Sequence, residues 1–179
     1  MTTTATDLNP EMTMAEILEK FPGARRALFQ RYHIGGCSSC GFQPTDSLRR
    51  VLANHNVADV QSAVDVIKQF DEMDRKLQIG PKEVVALRAA NPKVRLIDVR
   101  SPEEHNFARI EGGELLTQDL VGQLMALPKD ASLVFFCHHG MRSLDAAAYF
   151  VGHGFTNVRS MAGGINAWSE QVDPRVLKY

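Results

Sequence analysis

The chain has 179 residues, room for one ordinary domain or for a small domain joined to a medium one. A hydrophobic fraction of 44% supports a buried core and excludes a fibrous or wholly disordered chain, while 20 basic against 21 acidic residues leave no overall field to draw it onto nucleic acid. No apolar run approaches the ~20 residues that span a bilayer, and the N-terminus lacks a basic stretch followed by an apolar one, so a cytoplasmic protein with no membrane or nucleic-acid partner is expected.

Residues 1–12 are Thr-rich without apolar periodicity and read as a flexible tail. Thr13 followed by Glu16 forms a capping-box pair ahead of Ile17 and Leu18, which predicts a short helix broken at Phe21-Pro22. A second helix carries Ala24, Ala27, Leu28 and Tyr32 and should stop at Gly35-Gly36, just before Cys37-Ser38-Ser39-Cys40. Asp46 is placed to cap a helix bearing Leu48, Val51 and Leu52, and Asp59 one bearing Val60, Val64, Ile67 and Phe70. Residues 13–74 therefore read as a small all-α domain, whose core at this size is marginal.

From Leu77 short β-rich runs alternate with helical ones, the pattern of an α/β domain with a parallel sheet over residues 75–179. The clearest strands are 94–99, 132–136 and 157–161, with weaker ones at 77–79 and 114–116, and helices are predicted at 82–90, 118–126, 143–151 and 165–171.

Three cysteines cannot complete a disulfide framework, so each thiol has to be read separately. Cys137 directly follows the apolar run ending at Phe136 and precedes His138-His139-Gly140-Met141-Arg142 and a helical stretch from Ser143. A thiol at the C-terminal end of a parallel strand faces loop amides and a helix N-terminus, where an anion binds and where thiolate is favoured over thiol. Gly140 allows a tight turn and Arg142 adds a permanent cation, features that a merely packed cysteine does not require. Adjacent histidines point in different directions, so solvent contact is the simple reading of His138 and His139, with ligand or acid/base roles as alternatives.

Three motifs then agree in order: Leu96-Ile97-Asp98-Val99-Arg100 with Glu104, the loop C-H-H-G-M-R-S, and Gly163-Gly164-Ile165-Asn166-Ala167-Trp168. On these residues the chain resembles the rhodanese family of sulfurtransferases from about Leu77 to Trp168. The likeness implies a rhodanese-like parallel sheet flanked by helices and a thiosulfate or persulfide sulfurtransferase with Cys137 as nucleophile. His138, His139, Gly140, Met141, Arg142 and Ser143 would bind the transferred sulfur and its donor. No metal or organic cofactor is implied. The partners implied are a small anionic sulfur donor and a thiol acceptor such as thioredoxin, glutathione or a sulfur-carrier protein. Asp98 and Arg100 are expected to brace loops and Trp168 to pack. Arg109 stands where the family usually has a histidine, and His105 where an aromatic residue is common.

Two other classes remain in view. A binding module would recognise a sulfur carrier or redox partner without turnover. A Cys-dependent phosphatase or arsenate reductase related to this fold uses a wider C-x-x-x-x-x-R loop, whereas here four residues separate Cys137 from Arg142. Cys37 and Cys40 form a single C-x-x-C, compatible with a sulfur relay from Cys137, a redox pair, two packing thiols, or half a zinc site whose nearest further ligands are His33 and His55. Residues 12–72 loosely resemble a helical domain of unknown function found with C-x-x-C in bacterial redox and iron-sulfur settings.

Overall fold

The computed structural model describes residues 8–35 and 41–179, and the chain divides into two compact units, Met1–Arg75 and Lys76–Tyr179. Cys37 and Cys40 lie outside the described residues.

In the first unit, α1 (Met14–Lys20), α2 (Ala24–Tyr32) and α3 (Leu48–Asn54) precede the 18-residue α4 (Val60–Leu77). Thr13 caps α1 as its spacing predicts: its hydroxyl accepts from the Glu16 amide, while the Glu16 carboxylate accepts from the Thr13 amide at 2.8 Å. The cap of α3 is Ser47 and not Asp46, because the Asp46 carboxylate is turned back onto the Gln43 amide at 2.9 Å. Asp59 accepts from the Ser62 amide and starts α4. α2 ends at His33, which itself takes the left-handed conformation with φ 58°, two residues before the expected glycine stop. Residues 8–12, expected to belong to a loose tail, are packed: the Leu8 side chain is buried, and the Pro10 and Met12 carbonyls accept from the Arg49 and Leu48 amides. Met14, Ile17, Leu28, Leu48, Leu52 and Ile67 are fully buried and form the heart of this unit's core.

The second unit runs β1 (Gln78–Ile79), α5 (Pro81–Ala90), β2 (Arg95–Asp98), α6 (Pro102–Phe107), β3 (Gly113–Leu115), α7 (Gln118–Met125), β4 (Leu133–Phe136), α8 (Met141–Gly152), β5 (Val158–Met161) and α9 (Gly164–Gln171). All strand pairs are parallel, in the order β1-β5-β4-β2-β3. Both faces are covered, as a parallel sheet requires. Leu96, Val134, Phe136 and Met161 face a core shared with Val84, Ile165 and Trp168. Their neighbours Ile97, Leu133, Phe135 and Val158 face a second core with Leu120, Leu124, Ala147 and Phe150. The period-2 alternation of strand residues therefore builds two cores from one sheet. α6 is an element the sequence reading did not anticipate; Ser101 caps it through a capping box with Glu104, and Pro102 suits its first turn. α8 begins at Met141, two residues earlier than expected, which makes Met141, Arg142 and Ser143 its first turn. No helix among the described residues is long and apolar enough to cross a membrane.

Candidate functional site around Cys137

β4 lies at the centre of the sheet with β2 and β5 on either side, so the loops leaving their C-terminal ends converge. Cys137 is the first residue beyond β4 and is only 1% exposed. Gly140 adopts φ 98° and folds the loop back until its own amide donates to Cys137 Sγ at 3.1 Å. A side chain at Gly140 would strike the Gly163 nitrogen at 3.0 Å, so the turn needs glycine twice, for conformation and for room. The first-turn amides of α8, those of Met141, Arg142 and Ser143, find no acceptor among the described residues. They leave free donors at the positive end of a 12-residue helix whose N-cap residue, Gly140, is the one donating to the sulfur.

Buried Ser143 adds a hydroxyl 3.6 Å from Sγ, 3.1 Å from the Gly140 carbonyl and 2.9 Å from Ser160 Oγ. Ser160, fully buried on β5, was missed by sequence reading because a serine in a strand looks like any small sheet residue. Its contact with Ser143 makes a buried polar chain ending at the thiol. Replacing Ser143 with alanine strips a partner from the Ser160 hydroxyl, and about 1–2 kcal/mol of stability should be lost in urea titrations. An unchanged midpoint would mean that this chain of hydroxyls contributes nothing.

Behind the loop, the Cys137 carbonyl accepts from the Ile165 amide at 2.8 Å and the His138 carbonyl from the Asn166 amide at 3.2 Å. The Gly163-Gly164 pair, with φ of 70° and 58°, lets α9 approach closely enough for these bonds. The closing glycine motif thus buttresses the sulfur-bearing loop.

On the other side stands an ionic network. Arg100 and Asp98 form an ion pair whose side chains are both 0% exposed, with Nη2 to Oδ2 at 2.6 Å and Nε to Oδ1 at 2.8 Å. Arg100 also donates to the Glu104 and Ala108 carbonyls, so it ties the C-terminal part of α6 to the end of β2. His105 places Nδ1 2.8 Å from Asp98 Oδ2 and joins the same cluster. Arg109, at the position where the sequence departs from the usual histidine, is exposed.

Arg142 makes two hydrogen bonds of 2.7 Å to the Glu104 carboxylate. That pairing holds Glu104 well below the usual carboxylate range and raises Arg142 above its ordinary value. The loop cation is therefore already neutralised. Tyr179 supplies what no motif suggested: its hydroxyl accepts from Arg100 Nη1 at 2.8 Å and donates to Glu104 Oε1 at 2.9 Å. Its ring stacks on His138 at 4.2 Å, and His138 stacks on His139 at 3.9 Å with an interplanar angle of 20°. The two histidines, expected to diverge, thus lie face to face under an aromatic cap. Burial, followed by the neighbouring His139, pushes His138 below the ordinary histidine value, which keeps it uncharged at neutral pH.

Of the proposed zinc ligands, His55 is satisfied by the Val51 carbonyl through Nδ1 at 2.8 Å, and His33 terminates α2. No cluster of three or more His, Cys, Asp or Glu residues suited to a metal occurs among the described residues.

A family model described as "Rhodanese-like domain" matches residues 80–171. The chain is 37% identical over 92 residues to the thiosulfate sulfurtransferase GlpE of Pseudomonas entomophila, covering 51% of this chain and 83% of GlpE. It is 35% identical over 104 residues to the probable adenylyltransferase/sulfurtransferase MoeZ of Mycobacterium tuberculosis, covering 56% of this chain and 26% of MoeZ. It therefore spans about a quarter of that relative's length. Among solved structures, reduced Bacillus anthracis CoADR-RHD aligns with a TM-score of 0.52 at 18% identity, covering 91% of this chain and 27% of that one, a likeness of fold alone.

Proposed function

Because the chain belongs to the rhodanese-like domain family, we propose that it is an enzyme that moves sulfane sulfur from thiosulfate or a persulfide to a thiol acceptor, carrying it as a persulfide on Cys137. The observation that carries this reading is the start of α8 at Sγ: the Gly140 amide already donates to the sulfur, and the next three amides in the chain have no acceptor among the described residues. The Cys137 thiolate attacks the outer sulfur of thiosulfate, the S–S bond breaks, and sulfite leaves with its electron pair. Charge balances, since a monoanion and a dianion become a persulfide anion and sulfite. The terminal sulfur then sits where main-chain donors stabilise it without reorganisation. A thiol acceptor such as thioredoxin, glutathione or a sulfur-carrier protein removes it and restores the cysteine; in an assay, cyanide takes that role. The near-complete burial of Cys137 favours donors that present a slim terminal sulfur. GlpE's designation as a thiosulfate sulfurtransferase supports the choice of thiosulfate as a test donor.

Intact-mass measurement after incubation with thiosulfate or an organic persulfide tests the reading. One added sulfur, removed by cyanide and missing in Cys137→Ser, is expected. A mass unchanged by both donors overturns it.

A further inference from the structure

The cation that would welcome an anionic donor is occupied. Arg142 is held by both oxygens of Glu104, and Glu104 is in turn held by the Tyr179 hydroxyl and the Ser101 amide. The second cation near the loop, Arg100, is matched by Asp98. Two cations thus meet two carboxylates, and His138, uncharged at neutral pH, adds nothing. What faces the incoming donor is a set of main-chain dipoles with no uncompensated side-chain charge among these groups. Such a cup stabilises one negative charge on a terminal sulfur but gives little extra attraction to a dianion, which must also shed more hydration on entering.

We propose that Glu104, fastened by Tyr179, clamps Arg142 and so sets donor specificity, turning the site away from dianionic thiosulfate and towards thiol-borne persulfides with little charge beside the transferred sulfur. The proposal rests on the sulfurtransferase reading and names its donor class. Transfer from such a donor balances simply: the Cys137 thiolate attacks the terminal sulfur of R–S–SH, the S–S bond breaks, and RS⁻ leaves with its electron pair as the terminal SH passes to Cys137, whose side chain becomes –S–SH. Glu104 and Tyr179 are positioning residues here, acting through Arg142 without touching the reacting atoms.

The test is the ratio of kcat/KM for thiosulfate to that for N-acetylcysteine methyl ester persulfide, whose single ionisable group is the persulfide. Freeing Arg142 in Glu104→Gln should raise this ratio about fivefold at low ionic strength, mainly through the thiosulfate KM, and the gain should shrink in 1 M salt (about a 3 Å screening length). Tyr179→Phe, which removes one hydroxyl from a side chain 44% exposed, should keep the fold and raise the ratio about twofold. Adding Arg142→Gln to Glu104→Gln should cancel the gain. A ratio that stays level or falls in Glu104→Gln, or a gain indifferent to salt, overturns the clamp; should Glu104→Gln fail to fold, an unchanged ratio in Tyr179→Phe overturns it alone. If the unsubstituted protein loads sulfur from neither donor, it is the sulfurtransferase reading that fails, whereas loading from both at an unaltered ratio in the variants removes only the clamp.

Discussion

Cys137→Ser should lose sulfur transfer by about four orders of magnitude or more while keeping its fold. Serine is nearly isosteric, its oxygen can still accept from the Gly140 amide, and Ser143 retains Gly140 and Ser160 as partners. The loop geometry therefore survives and only the chemistry goes. A hydroxyl at that place is hardly ionised at neutral pH, and an oxygen–sulfur bond offers no easy exchange with a thiol acceptor. Single-turnover loading from an organic persulfide, followed by cyanide release, measures the loss. Residual transfer within a hundredfold of the unsubstituted protein would move the sulfur-carrying role away from Cys137. The same variant separates catalysis from mere recognition: a module that only binds a sulfur carrier would keep its partner affinity and have no turnover to lose.

Gly164→Ala should be the most damaging small substitution in the second unit, costing about 3 kcal/mol or more in urea unfolding. Gly164 sits at φ 58°, and a Cβ there would fall 2.2 Å from the Cys137 carbonyl oxygen and 2.4 Å from that of His138. Both contacts are with backbone, so no side-chain rotation relieves them. Relief requires α9 to withdraw from the loop, which breaks the Ile165 and Asn166 amide bonds to those same carbonyls. The Gly140 amide would then lose its placement against Sγ, so sulfur loading should fall even in the folded fraction. A midpoint within about 1 kcal/mol of the unsubstituted protein would show that the approach of α9 is not what holds the loop.

These two residues show how differently parts of the site could be read in advance. Cys137 was legible because local chain order is enough: an apolar strand, a thiol, a glycine turn and a helix put the sulfur near main-chain donors whatever surrounds them. Gly164 was legible only as a letter in a motif. Its reason lies in a contact with a residue 27 positions earlier in the chain, where two carbonyls leave no space for a Cβ. Arg142 was read only as a permanent cation, with no partner named, since Glu104 is 38 residues away and reaches it only through α6, a six-residue helix too short to give a periodic signal. Ser160 and Tyr179 carried no signal of their own, for a serine in a strand and a tyrosine outside any motif acquire a role only from what folding lays against them. His138 and His139 were expected to diverge, as neighbours in an extended loop do; the tight turn at Gly140 and the Tyr179 ring bring them into a stack.

The amino-acid order alone determined the class of most elements, the parallel α/β architecture and the thiol at the end of an apolar strand, because hydrophobic period, caps and turn residues act over a few positions. Tertiary structure decided the balance of charge around that thiol. Ion pairs, buried hydroxyl contacts and ring stacks form between segments far apart in the chain, so whether Arg142 greets a donor or is already engaged depends on which carboxylate the fold sets beside it.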